Sequence, residues 1–151
     1  MDQFAYPAHF TTEEDGSFMV RFRDLPEAIT SGRDMADAIE QAADCLQEAL
    51  AGRLVRRDAV PRPSKQRRGE RRIPVAMYLA PKLALFDAMK RVRINNSELA
   101  RRIGVTEVVV RRMLNPKHET KAGKIEAALR ALGKEAVVHI DNAARSTPCA
   151  R

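Results

Sequence analysis

An α+β fold, a small antiparallel sheet with one helix across it followed by an all-helical domain, is predicted by three features of this sequence. Residues 4–32 alternate apolar and polar side chains with the period of two that belongs to strands. From Asp34 onward apolar residues recur at helical spacing, and beyond Pro81 no strand pattern returns until residues 136–140. Charge divides the chain as well. Residues 1–54 hold eleven acids against four arginines, a net of −7, whereas the rest of the 151-residue chain holds 23 bases against nine acids, a net of +14. An acidic front and a basic back imply different partners, with nucleic acid the natural one for the basic part.

The elements follow in order. Phe4, Tyr6, Ala8 and Phe10 share one face of a first strand, in which Pro7 is tolerable only at an edge or bulge. The run "TEEDG" turns the chain through a loop of about four residues into a second strand, with Phe18, Val20 and Phe22 on one side and Arg21 and Arg23 on the other. "LPEAITSG" makes a third short strand ending at Gly32. Asp34 then caps a helix whose stripe is Ile39, Ala43, Leu46 and Leu50 and which Gly52 stops. Residues 56–72 carry eight bases with two prolines and one glycine and read as a mobile loop or linker, either a solvated tether or a contact for phosphates. "IPVAMYL", residues 73–79, reads as a strand returning to the first sheet, since an isolated strand would leave its backbone groups unpaired. The domain boundaries expected are therefore 1–80, 81–140 and a frayed tail at 141–151.

Pro81 opens a helix carrying Leu83, Phe86, Ala88 and Met89. In "NNSELARRIGVTEVVVRRMLNP" Ser97 caps one helix, Gly104 breaks it, and Thr106 caps the next, with Asn115-Pro116 as the stop. Leu99, Ala100 and Ile103 face inward, and Val105 and Val110 lock the second helix onto the first. This order is that of a helix-turn-helix, for which an ordinary helical hairpin is the bland alternative. In a DNA reader the second helix enters the major groove, so Thr106, Glu107, Val108, Arg111, Arg112 and Asn115 would meet base edges, and Lys117, Lys121 and Lys124 would meet phosphates. A last helix bears Ile125, Ala128, Leu129 and Leu132 and ends at Gly133.

Other chemistries find little support. Cys45 and Cys149, and His9, His118 and His139, stand at no metal-ligand spacing, so neither a metal nor a cofactor is expected. The amino terminus lacks a secretory signal pattern and no stretch approaches a membrane span, which points to a cytoplasmic protein without a membrane partner.

Residues 6–50 resemble the amino-terminal segment of the HicB antitoxins of bacterial toxin-antitoxin pairs. The likeness is carried by Tyr6-Pro7, Glu14-Asp15-Gly16, Phe22, Asp24-Leu25-Pro26, Thr30 and Gly32. "ELARRIGVTEVVVRRML" through "HETKAGKIEAALRALGKEA" is similar to the helix-turn-helix of one branch of that family. The resemblance implies an incomplete ribonuclease H-like domain that silences a small HicA-type ribonuclease toxin. It also implies a domain that binds double-stranded operator DNA to repress the pair's own operon, in a homodimer or larger assembly. The arginine-rich 56–72 stretch is longer and more basic than that family leads one to expect. Glu13, Glu14, Asp15 and Asp24 are candidate toxin contacts, because a cutter of RNA presents a positive surface, and Pro26 would fix the loop beside them. Two rival readings exist. An RNA-hydrolysing enzyme would need several converging carboxylates, whereas these acids fall in turns and along a helix face. A stand-alone transcription regulator with a sensing amino-terminal domain is the other, and the sequence shows no evident pocket chemistry for a ligand.

Overall fold

The computed structural model describes residues 4–142. Four strands, β1 (Ala5–Thr12), β2 (Phe18–Phe22), β3 (Leu25–Gly32) and β4 (Glu70–Pro74), form one antiparallel sheet in the order β3-β2-β1-β4. Helix α1 (Met35–Arg56) lies between β3 and β4 in the chain, and α2 (Ala80–Val92), α3 (Asn96–Ile103), α4 (Glu107–Leu114) and α5 (Ala122–Ala131) follow the sheet. The α+β fold class read from the sequence is the one observed.

Alternation decides which side of the sheet is covered. Tyr6, Ala8, Val20, Phe22, Leu25, Ala28 and Ile73 are buried, and α1 packs on β3, β2 and β4. The opposite side leaves His9, Arg21, Ile29 and Ser31 exposed. Asp34 caps α1 as its spacing predicts, its carboxylate accepting from Asp37 N at 2.9 Å. The stripe is offset by one residue from the expected one at its start: Ala38 and Ala42 are buried, with Leu46, Leu50 and Leu54, whereas Ile39 and Ala43 are half-buried. The cause is the strand that precedes the helix. A Cβ on Gly32 would stand 2.3 Å from Ala38 N, so the first turn of α1 lies directly on the glycine and only alanines fit there.

Several boundaries also move. Helix α1 runs through Gly52 and ends with Arg57 in the left-handed region at φ 60°, because tertiary packing of Leu54 outweighs the weak local tendency of a glycine to stop a helix. Pro7 sits in an interior strand, not at an edge. It lies one residue past Ala8↔Phe22, the last β1–β2 pair, so that ladder does not ask it for a donor. The β1–β2 loop has five residues, 13–17. The returning strand exists and pairs with β1, but it spans Glu70–Pro74 and so begins inside the stretch read as a loop. Residues 136–140 form no strand. Of the expected tail, residues 143–151 lie outside the described residues, as does Cys149.

The basic stretch is no loose tether. Tyr6 Oη donates to Pro61 O at 2.7 Å, Arg53 Nη1 to Ala59 O at 2.7 Å and Arg23 Nη2 to Lys65 O at 3.0 Å. Asp24 takes two bonds from Ser64, at 2.8 Å from its N and 2.5 Å from its Oγ. Residues 59–65 are thereby strapped across the end of the sheet where β2 turns into β3. These anchors come from side chains far away in sequence, which is why composition alone suggested mobility.

Helices α2 to α5 bury one another's apolar faces, α2 against α4 and α5, and α3 against α4 and α5. Among the described residues no helix is long and apolar enough to cross a membrane.

Candidate nucleic-acid interface and acidic surface

Helix α3 starts two residues earlier than serine capping predicts: Asn95 is the cap, its side chain accepting from Glu98 N at 2.9 Å, and Ser97 lies inside the helix. Asparagine wins because its carbonyl reaches the third N–H of the first turn. At the other end Gly104 adopts φ 71°, a conformation that costs a side-chain-bearing residue about 1 kcal/mol. Val105 N then bonds Ala100 O at 3.0 Å, and the chain reverses into α4 within three residues. Leu99, Ala100, Val110 and Met113 are buried between the two helices. Val105 does not join them. It is 36% exposed, so Val110 and Met113 carry the lock that was assigned partly to Val105.

The outward side of α4 holds most of the predicted reading residues. Thr106 occupies the cap position in extended conformation, but its side chain makes no capping bond, which leaves its hydroxyl uncommitted at the positive end of the helix. Val108 is exposed. Glu107 is half-buried and engaged: Asn96 Nδ2 donates to it at 3.3 Å and Arg111 Nη1 stands 3.7 Å away. Arg111 is therefore partly neutralised by its own helix. Arg112 lines a shallow pocket of about 210 Å³ together with Val109, Glu119, Lys121 and Lys124. The fold thus gathers one arginine and two lysines that are separated by about ten residues in sequence.

Two predicted members stand apart. Asn115 closes α4, and its side-chain oxygen accepts from Lys117 N at 2.9 Å, so it shapes the turn after the helix. Lys117 is exposed, but on a second groove with Met77, Tyr78, Pro81 and His118. Sequence reasoning missed Lys82. It is 2% exposed, and its Nζ donates to Asn115 O at 2.6 Å and to His118 O, fixing the end of α4. Burial pushes its amine below the ordinary lysine pKa. A lysine at an apolar helix position was the available signal.

On the acidic half, Glu13, Glu14 and Asp15 are all exposed in the β1–β2 turn. The Ser17 hydroxyl and then its N–H hold the Asp15 carboxyl below the usual carboxylate range. Asp24 is different: half-buried, with both oxygens on Ser64, it is an anchor of the strap. Pro26 is exposed on β3, an edge strand where a missing donor costs little. Glu40, Asp44 and Glu48 form an exposed acidic ridge along α1, readable from their spacing of four residues. No group of three or more His, Cys, Asp or Glu among the described residues converges as a metal site would.

Residues 5–84 match a family described as "HicB_like antitoxin of bacterial toxin-antitoxin system". The chain is 37% identical over 130 residues to "Antitoxin HicB" of Escherichia coli (strain K12), covering 86% of this chain and 94% of that protein. It is 36% identical over 129 residues to "Antitoxin HicB 2" of Photorhabdus laumondii subsp. laumondii, covering 85% and 91%. A second protein of that organism, "Antitoxin HicB 1", is 29% identical over 136 residues, covering 90% and 86%.

Proposed function

This chain belongs to the HicB-like antitoxin family, and from that premise we propose that it neutralises a small HicA-type ribonuclease toxin and represses its own operon. The antitoxin is the sheet-and-helix unit of residues 1–80, whose acids are concentrated in residues 1–54, and the repressor is the basic helical unit of 81–140. Its toxin-facing groups are Glu13, Glu14 and Asp15, exposed together on one turn, with the α1 ridge as a second acidic surface. Carboxylates displayed in this way attract a protein built to hold RNA and compete for the same positive surface. The role is one of binding, without catalysis, in the cytoplasm.

The observation that carries the repressor reading is the corner at Gly104. It buries Val110 and Met113 and leaves Thr106, Val108, Arg111 and Arg112 facing outward on α4. In the major groove arginine donates twice to guanine, and valine meets a thymine methyl. Arg112 is the principal reader, since Arg111 is shared with Glu107, while Lys121 and Lys124 clamp the adjacent phosphates. Two copies then read half-sites spaced by about one helical turn or a multiple of it.

The test separates the two activities. Arg112→Ala lowers affinity for the operon's own promoter duplex about ten- to hundredfold in fluorescence anisotropy, the equivalent of about 1–3 kcal/mol, and relaxes base preference. Rescue of growth from the co-expressed toxin stays at the wild-type level. Unchanged promoter affinity would remove α4 from the role of reader.

A further inference from the structure

Among the described residues, two helices are followed by a glycine in the left-handed region, Gly104 after α3 at φ 71° and Gly133 after α5 at φ 70°. Two others place an arginine there instead, Arg57 after α1 at φ 60° and Arg93 after α2 at φ 56°. The backbone closes in the same way with either residue. Asp58 N bonds Arg53 O at 2.9 Å and Ile94 N bonds Met89 O at 3.1 Å, just as Lys134 N bonds Leu129 O at 2.9 Å beyond Gly133. Glycine would make these closures without the strain that a Cβ adds in this region, so the contribution of the two arginines lies in their side chains. The helix dipole does not require them. Arg53 and Arg56 already stand in the last turn of α1, and Lys90 and Arg91 in that of α2.

The two helix ends also meet. Lys90 Nζ donates to Arg57 O at 2.9 Å, and Lys90 O accepts from Arg93 N at 3.2 Å, so one lysine joins both corners. Arg57, Lys90 and Arg93 are all exposed. The nearest acids in sequence are taken: Asp58 by Arg56 at 2.8 Å and Asp87 by Arg91 at 2.6 Å. Among the described residues no carboxylate pairs with the three cations themselves. Arg93 lies two residues before Asn95, the cap of α3, and Asn96 beside that cap donates to Glu107 at the start of α4. The patch therefore adjoins the amino-terminal ends of both helices that meet at the Gly104 corner.

We propose that Arg57, Lys90 and Arg93 form a clamp for the phosphate backbone of duplex DNA, seated beside the reader helix and drawing one of its cations from the sheet-bearing unit. The inference rests on the repressor reading and extends the DNA footprint to a unit assigned so far to the toxin alone. Three cations without a carboxylate, fixed on joined helix ends, match a row of phosphates, and guanidinium donates to two phosphate oxygens at once. Such contacts position the duplex and read no bases.

Arg57→Gly with Arg93→Gly keeps both backbone closures and removes both guanidiniums, so two effects of opposite sign are expected. The thermal midpoint of the full chain should rise by about 2–4 °C as the strain is relieved. Affinity for the promoter duplex in fluorescence anisotropy should fall about tenfold or more at low salt, and the slope of log affinity against log salt should become shallower by about two, with base preference unchanged. Arg67→Gln with Arg68→Gln removes the same charge from the turn before β4 and should leave that slope as it is. An unchanged slope in the glycine variant, an equal loss in the glutamine variant, or a lowered midpoint overturns the proposal. A wild-type chain without salt-dependent affinity for the duplex sinks the repressor reading as well, whereas a wild type that binds no better than the glycine variant sinks this inference alone.

Discussion

Lys82 has its ammonium at the carbonyls of Asn115 and His118, at the end of the helix proposed to read DNA, and it does so from a buried position on α2. Those carbonyls end α4 and its turn, and without the amine both lose their charged donor, Asn115 O keeping only the bond from His118 N at 3.1 Å. Lys82→Met keeps the length and the packing and removes only the donors. It should therefore cost about 2 kcal/mol, read as a lower urea midpoint with unchanged slope. The pH dependence has a definite sign. Burial makes the folded chain release this proton more readily than the unfolded chain, so below the ordinary lysine value of about 10.4 unfolding takes up a proton. The contribution of Lys82 to stability accordingly rises with pH as the folded amine titrates in the alkaline range just below that value. The methionine variant should lack that rise.

At the scale of elements, the contact between β3 and α1 shows how one residue sets the packing of a helix. Gly32 is not at a positive φ; its need for hydrogen in place of a side chain comes from Ala38, whose backbone N and Cα would lie 2.3 and 2.4 Å from a Cβ. Gly32→Ala must push α1 outward along its first turn, and because the opposing atoms are backbone they cannot rotate away. A loss of about 1–3 kcal/mol is expected in thermal or urea unfolding. Gly104 offers the contrast, because a Cβ there would meet nothing within 4 Å. Its role is the left-handed conformation itself, and it was legible in the sequence from the break between two helical patterns. Gly32 was legible only as the end of a strand, since the approach of Ala38 depends on how the helix folds back.

Across the whole molecule, charge is sorted by surface: exposed acids lie on the β1–β2 turn and on α1, exposed bases around α4 and α5 and along residues 56–68 beside the sheet. Replacing Glu13, Glu14 and Asp15 together by lysine should slow association with the toxin about tenfold or more at low salt, in stopped-flow or surface-binding kinetics. The difference should shrink as ionic strength rises and screening shortens the reach of the charges. Promoter affinity should not fall. The sequence by itself determined the succession of strands and helices along the chain, the covered face of the sheet, the corner at Gly104 and the acidic front and basic back. Each of these is a local period, a local backbone requirement or a sum over composition, and none needs knowledge of distant neighbours. Tertiary structure alone decided that residues 59–65 are strapped to the sheet, that Asp24 serves Ser64, that Lys82 closes α4 and that Arg112 joins Lys121 and Lys124. These are contacts between groups far apart in the chain, and a side chain's spacing says which face it occupies but not which partner will meet it there.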